Sequence, residues 1–384
     1  MSSQTALQAA LQATDGVANL QPYIPGKPVE ELEREYGVTN AVKVASNENP
    51  LGPSPEVVAH LNQLLQNPLE LARYPDGNGF VLKNKLVEKL TTENLSLSSA
   101  QITLGNGSND VLDILARTFA AKGDEVIFSQ YAFAVYPIAT QAVGATAIVT
   151  KAKDWGHDLD AMQDAVTEKT RLIFIANPNN PTGTCLSANA LQAFLQQIPE
   201  HIVVVIDEAY EEYASHPDSG FSENYHSMLP ALSQYKNLVI TRTFSKAYGL
   251  SSFRVGYSIS SSGIADLLNR VRQPFNNNTF ALEAAAVALD DQSHIRKGVE
   301  LNWQGMAYLL AGFKRLKLNF IPSAGNFVCV QTGPKSAHIY EKLLYEGVIT
   351  RPVANYQMPE HLRISIGTMA ENQRVLGALE KVLA

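Results

Sequence analysis

The chain has 384 residues, too many for one small core and enough for two or three domains. Hydrophobic residues make up 45 % and charged ones 17 %, an ordinary globular composition, and 30 basic against 37 acidic side chains leave a net charge of −7 with no basic cluster. That balance argues against a nucleic-acid partner, so any phosphate would be met by a few placed groups and not by a field.

Along the chain, Met1 to Leu20 is rich in Gln and Ala and has neither a basic n-region nor an apolar h-region. It reads as neither a secretion signal nor a membrane span, and a cytoplasmic protein is expected. Pro22, Pro25, Gly26 and Pro28 break regular structure, so residues 1–45 are expected to form an arm packed on a small domain or a partner subunit. Further on, Leu104-Gly-Asn-Gly-Ser-Asn-Asp110 precedes the helical pattern Val111 to Phe119. A glycine turn that opens a helix presents free N–H groups to a phosphate, though the same pattern is a common cap.

Short apolar runs then alternate with helical patterns: Glu125 to Phe128, Ala147 to Thr150, Leu172 to Ala176, Ile202 to Ile206, Leu238 to Thr241 and Val255 to Ile259. Continuous apolar strands separated by helices predict an α/β fold whose largely parallel sheet is covered on both faces, here over 46–280. Binding residues in such sheets collect after the carboxyl ends of strands. Near Phe280 the pattern changes to helices at Ala281 to Leu289 and Ile295 to Leu316, short runs at Asn326 to Val330 and Leu362 to Ile366, and a last helix at Glu371 to Leu383. This predicts a smaller α+β domain over 281–384. The cysteines, Cys185 and Cys329, have no metal-ligand or disulfide spacing, so no metal site is expected and a reducing compartment is the simpler reading.

The segments that follow the strands carry chemistry. After Ala176 comes Asn177-Pro-Asn-Asn-Pro-Thr-Gly183, a rigid turn from which the amides of Asn179 and Asn180 project as donors. After Ile206 comes Asp207-Glu-Ala-Tyr210; a carboxylate at the end of a buried strand needs a positive partner such as a protonated pyridine nitrogen, or it caps a helix. After Thr241 come Ser245 and Lys246, with Arg254 eight residues beyond the lysine: an amine for a Schiff base, with a hydroxyl and a guanidinium for a phosphate. Pyridoxal phosphate is the cofactor that needs all of these. Tyr131-Ala-Phe-Ala-Val-Tyr136 offers an aromatic face over such a ring or plain core packing.

Asn-Pro-Asn-Asn-Pro-Thr-Gly, Asp-Glu-Ala-Tyr, Thr-Phe-Ser-Lys and Phe-Arg-Val-Gly-Tyr, in this order and spacing, resemble the fold-type I aminotransferases. More narrowly, Asn47-Glu-Asn-Pro-Leu-Gly-Pro-Ser-Pro55, Arg73-Tyr-Pro-Asp-Gly77 and Arg351-Pro with Leu362-Arg-Ile-Ser-Ile-Gly367 resemble the histidinol-phosphate aminotransferase family, from about Tyr23 to the C-terminus. The resemblance implies a seven-stranded, mostly parallel sheet sandwiched by helices, plus the smaller domain. It makes Lys246 the Schiff-base lysine and proton carrier, pairs Asp207 with the pyridine nitrogen, and sets Asn180 and Tyr210 on the phenolic oxygen. Ser245, Arg254 and the backbone of Ser108 and Asn109 hold the phosphate, and Tyr74 reaches it from the partner of a homodimer with shared sites. Phe133 stacks on the ring, with Tyr131 as the fallback, since the family commonly has Tyr-x-x-Tyr there. Tyr23, Arg351 and Arg363 select the substrate, two arginines suiting a dianion such as a substrate phosphate. The implied reaction runs between histidinol phosphate and 2-oxoglutarate, with glutamate as a product. Rivals on this scaffold are an aromatic amino-acid aminotransferase and a phospho-amino-acid decarboxylase; a DNA-binding regulator is not expected, because no basic module precedes Tyr23.

Overall fold

The computed structural model describes residues 13–384; the first twelve residues of the expected arm, with most of the Met1 to Leu20 segment, lie outside the described residues. Thirteen strands occur among the described residues: β1 (Val42–Lys43), β2 (Ile102–Gly105), β3 (Glu125–Ser129), β4 (Thr146–Thr150), β5 (Thr170–Ala176), β6 (Val203–Asp207), β7 (Leu238–Thr243), β8 (Gly256–Ser260), β9 (Asn319–Ile321), β10 (Phe327–Gln331), β11 (Val348–Ile349), β12 (Arg351–Pro352) and β13 (His361–Ser365).

Seven of them form one sheet in the order β2-β8-β7-β6-β5-β3-β4. β3 to β7 run parallel, and β8 is antiparallel to both of its neighbours, β2 and β7. The central strands read as unbroken apolar runs because each face is covered. Ile173, Ile175, Val204 and Ile206 enter one core, while the alternate residues Leu172, Phe174, Val203 and Val205 enter the core on the opposite face. β4 departs from the expectation of a doubly covered strand: it closes the sheet edge, and Val149 is 51 % exposed.

Four further strands, β12-β13-β10-β9, make an antiparallel sheet. The helices Gln292–Arg315, Ser336–Tyr345 and Met369–Leu383 accompany it. The last of these starts with a complete capping box between Thr368 and Glu371. A two-residue parallel bridge joins β1 to β11, and the helix Val29–Tyr36 buries Leu32 in a cluster with Leu344 and Ile349. Two-residue strands carry no periodicity, which is why β1, β11 and β12 have no signature in the sequence.

Candidate active site

A cavity of about 410 Å³ opens where β5, β6 and β7 end, with β12 and β13 contributing the facing wall. Three chain reversals place its floor. β6 ends in Asp207, which is 5 % exposed; the following helix Glu211–Ala214 is capped at Tyr210, so Asp207 does not serve as its cap. Burial raises the Asp207 carboxyl to about 6, against the lowering effect of the Thr241 and then the Tyr136 side chain, whose hydroxyl donates to Oδ2 at 3.1 Å. Oδ1 has no partner among the described residues. A buried half-satisfied carboxylate is costly in a finished fold and is what a cationic ring nitrogen would complete.

Lys246 follows β7 and is partly buried, its Nζ donating to the Ser46 carbonyl at 3.2 Å. Loss of surrounding water, then the positive charges of Arg363 and Arg254, lowers it to about 8 despite Glu48 and Asp207. An amine so placed is a nucleophile near neutral pH.

The turn after β5 uses its three asparagines differently. Asn177 accepts from the Leu186 N–H at 2.8 Å, and Asn179 donates to Tyr131 O and Thr182 Oγ1, so both brace the turn. Asn179 does not face the cavity, contrary to expectation; Asn180 does. The Asn180 amide donates to the Tyr210 hydroxyl at 3.3 Å, and its carbonyl accepts from Arg363 at 2.5 Å. Asn47, to which the sequence reading gave no role, donates to the same hydroxyl at 2.9 Å. With two donors already on its oxygen, Tyr210 has its own proton left to donate. Burial pushes this phenol up to about 12, so it stays a donor.

At one end the cavity becomes an anion cup. The helix Ser108–Phe119 presents first-turn N–H groups that have no intrahelical acceptor. Gly107 precedes it at φ 83°, and a Cβ there would lie 2.4 Å from Arg254 Nη2. Arg254 itself adopts φ 57°, uncommon for a residue with a side chain, and donates to Ser245 Oγ at 3.2 Å. Asp110 faces elsewhere, accepting from Asn106 N and Asn276, so its charge does not oppose an anion.

On the facing wall, Arg351 and Arg363 are register partners across β12 and β13. Both are buried, at 9 % and 6 % exposure. Arg351 donates to Ile24 O and lies 5.5 Å from the Tyr23 ring centroid; Arg363 donates to Ala45 O besides Asn180. Neither has a carboxylate within ion-pair distance among the described residues, and Arg363 Nε has no acceptor.

Phe133 also lines the cavity, whereas Tyr131 packs against Trp155 and is not part of it. Tyr74 is not brought to this cavity: it is 82 % exposed and stacks on Phe275 at 4.7 Å. The remaining sequence-derived candidates converge.

Comparison with known proteins identifies the family and the fold. The family model for aminotransferase class I and II matches residues 39–379. "Histidinol-phosphate aminotransferase 2" of Pseudomonas fluorescens is 55 % identical over 374 residues, covering 97 % of each chain. The chain belongs to the histidinol-phosphate aminotransferase family, within aminotransferase class I and II. Another relative, histidinol-phosphate aminotransferase 1 of Idiomarina loihiensis, is 53 % identical over 96 % of each chain. The histidinol-phosphate aminotransferase of Sinorhizobium meliloti, solved with pyridoxal-5′-phosphate, superposes with a TM-score of 0.84 at 28 % identity over 97 % of each chain. An aspartate aminotransferase of Thermus thermophilus shares the fold, with a TM-score of 0.81 at 21 % identity.

The donor set fits the cofactor of this aminotransferase family. An amine, an unpaired buried carboxylate oxygen, a phenol donor and an anion cup face one cavity. Among the described residues no group of His, Cys, Asp and Glu could hold a metal ion.

Proposed function

We propose that the protein is a pyridoxal-phosphate-dependent histidinol-phosphate transaminase, converting L-histidinol phosphate and 2-oxoglutarate to imidazole-acetol phosphate and L-glutamate in histidine biosynthesis. The observation that carries this reading is the adjacent, buried and counter-ion-free pair Arg351 and Arg363 facing the same cavity as Lys246. Two uncompensated guanidiniums favour a dianion, and a substrate phosphate neutralises both. The names of the relatives support the same substrate.

When bound, pyridoxal phosphate supplies an electron-poor ring that spreads the charge developing at the substrate α-carbon. The chain does the rest. Lys246 Nζ would hold the cofactor through its aldehyde carbon and, as a free amine, would be the base that carries the proton at the substrate α-carbon. Asp207 keeps a proton on the ring nitrogen, Tyr210 and Asn180 bind the phenolic oxygen, and Phe133 covers the ring. Ser245, Arg254 and the N–H groups of Ser108 and Asn109 fix the phosphate. Tyr23, beside Arg351, contributes to the substrate end of the cavity.

In this reading the chain divides into an arm (1–45), a cofactor domain (46–280) and a small domain (281–384), with Tyr23, Gly26 and Ala45 of the arm lining the cavity. A homodimer completes the site. Exposed apolar side chains at Leu65, Leu69, Leu71, Phe80 and Phe275 surround Tyr74 in sequence or space, the surface a second copy would cover. The two free thiols agree with a cytoplasmic enzyme, and no helix among the described residues is long and apolar enough to cross a membrane.

A second reading, an aromatic amino-acid aminotransferase, is favoured by a mainly apolar cavity of about 570 Å³ that shares Tyr23, Arg351 and Tyr356 with the site. Single-turnover spectroscopy separates the two. Holoenzyme mixed with histidinol phosphate should lose its visible absorbance and form pyridoxamine phosphate far faster than with phenylalanine. Equal or faster conversion by phenylalanine would transfer the assignment.

A further inference from the structure

We propose that Tyr136 is a positioning residue that fixes the Asp207 carboxylate for the cofactor's ring nitrogen and at the same time buttresses Phe133, an inference that rests on the role of Asp207 given above. Tyr136 is fully buried on the helix Val135–Ala142. Its ring lies parallel to Phe174 on β5, with centroids 4.6 Å apart and planes 6° apart, and Phe133 meets it edge-on at 5.9 Å. Clamped on both sides, the ring has one direction for its hydroxyl, which donates to Asp207 Oδ2 at 3.1 Å. Oδ2 is thereby taken and Oδ1 left free.

Among the side chains around the carboxylate, Tyr136 makes the hydrogen bond of ordinary geometry. Glu208, the next residue, is bound to Arg242 through Oε2 at 2.8 Å. Tyr210 accepts from Asn47 and Asn180 and has no hydrogen bond to Asp207, and Lys246 donates to Ser46 O. The hydroxyl of Thr241, the register partner of Asp207 on β7, and the Ala209 N–H also lie close enough to favour the ionised carboxylate, but the Thr241 hydroxyl does not reach ordinary hydrogen-bond geometry, whereas that of Tyr136 does. A donor on Oδ2 favours the ionised carboxylate, which in turn favours a protonated ring nitrogen. The same side chain sets the height of Phe133, so the anchor below the ring and the cover above it share one support.

Tyr136→Phe keeps both aromatic contacts and deletes only the hydroxyl. Losing a hydrogen bond to a charged group should raise the cofactor Kd and lower kcat by about tenfold each, with the substrate KM changed less than roughly twofold. The pyridine nitrogen of ¹⁵N-labelled pyridoxal phosphate should lose its proton at a lower pH than in the wild type, a shift that packing alone does not produce. Tyr136→Ala should add a loss of stacking, read as a weaker cofactor circular-dichroism band. Unchanged Kd, kcat and nitrogen titration in Tyr136→Phe would overturn the proposal. If Tyr136→Phe folds poorly, 3-fluorotyrosine at position 136, a stronger donor of nearly the same shape, should move the nitrogen titration the opposite way, and no movement would overturn it equally. Asp207→Ala run in parallel separates the premises: no effect there removes the Asp207 reading itself, whereas an effect there without one in Tyr136→Phe removes only the role of Tyr136.

Discussion

The free amine of Lys246 can be tested on the apoenzyme before any substrate is involved. Burial and the neighbouring arginines bring the amine from 10.5 to about 8. At pH 7 that raises the neutral population by roughly three-hundredfold, from about one in three thousand to about one in eleven. Capture of pyridoxal phosphate by apoenzyme, followed by stopped-flow absorbance between pH 6 and 10, should rise with pH through about 8 and level off by pH 9. Arg363→Gln removes the strongest charge effect on the amine, so its profile should move to higher pH while the plateau rate stays similar. A wild-type rate still climbing tenfold per pH unit at pH 10 would mean that the amine is unperturbed, and the account of its environment would be wrong.

Asp207→Asn should stabilise the apoenzyme while crippling the holoenzyme. The folded carboxyl stands at about 6 against 3.8, so the folded state holds the extra proton and stability falls as pH rises from about 4 to 6. The asparagine variant should therefore melt higher than wild type at pH 8 by the equivalent of at most about 3 kcal/mol, with little difference at pH 4. Arg351→Gln and Arg363→Gln should each slow the histidinol phosphate half-reaction by about ten- to a hundredfold, from loss of charge-assisted hydrogen bonds, and affect phenylalanine less; equal losses for both substrates would argue against phosphate recognition. Gly107→Ala places a Cβ against the Arg254 guanidinium at φ 83°, so cofactor Kd, measured by fluorescence titration, should rise at least about tenfold. Tyr74→Phe should weaken cofactor binding by about tenfold, and mixed dimers with Lys246→Ala should retain a site only where both functions meet; full activity of Tyr74→Phe would remove the shared-site reading.

Much of this protein is legible in its sequence, because the chemistry is local. Lys246, Asp207, Asn180 and Arg254 each stand within a few residues of a strand's end, and the buried strands announce themselves as apolar runs. Parallel strands β5, β6 and β7 then deliver Asn180, Asp207 and Lys246 to one edge, since strands pointing the same way end on the same side, and Arg254 joins them from the start of β8 because that strand runs the other way. The period-3.6 and period-2 signals that define helices and long strands are likewise properties of short windows.

Tertiary structure decided what depends on residues far apart in the chain. β8 runs against its neighbours, and nothing in an apolar run of five states its direction. Asn47 reaches Tyr210 across 163 positions, and Arg351 becomes the lateral neighbour of Arg363 only when β12 pairs with β13. The three asparagines of one turn look alike in sequence, yet hydrogen bonds to Tyr131 and Leu186 commit two of them to the backbone and leave Asn180 to the cavity. The aromatic segment after β3 divides in the same way: Tyr131 turns to Trp155, Phe133 to the cavity and Tyr136 to Asp207. A sequence determines which groups are available, whereas burial and register determine which of them keep an unsatisfied valence for a ligand, because those are properties of neighbours the chain supplies from elsewhere.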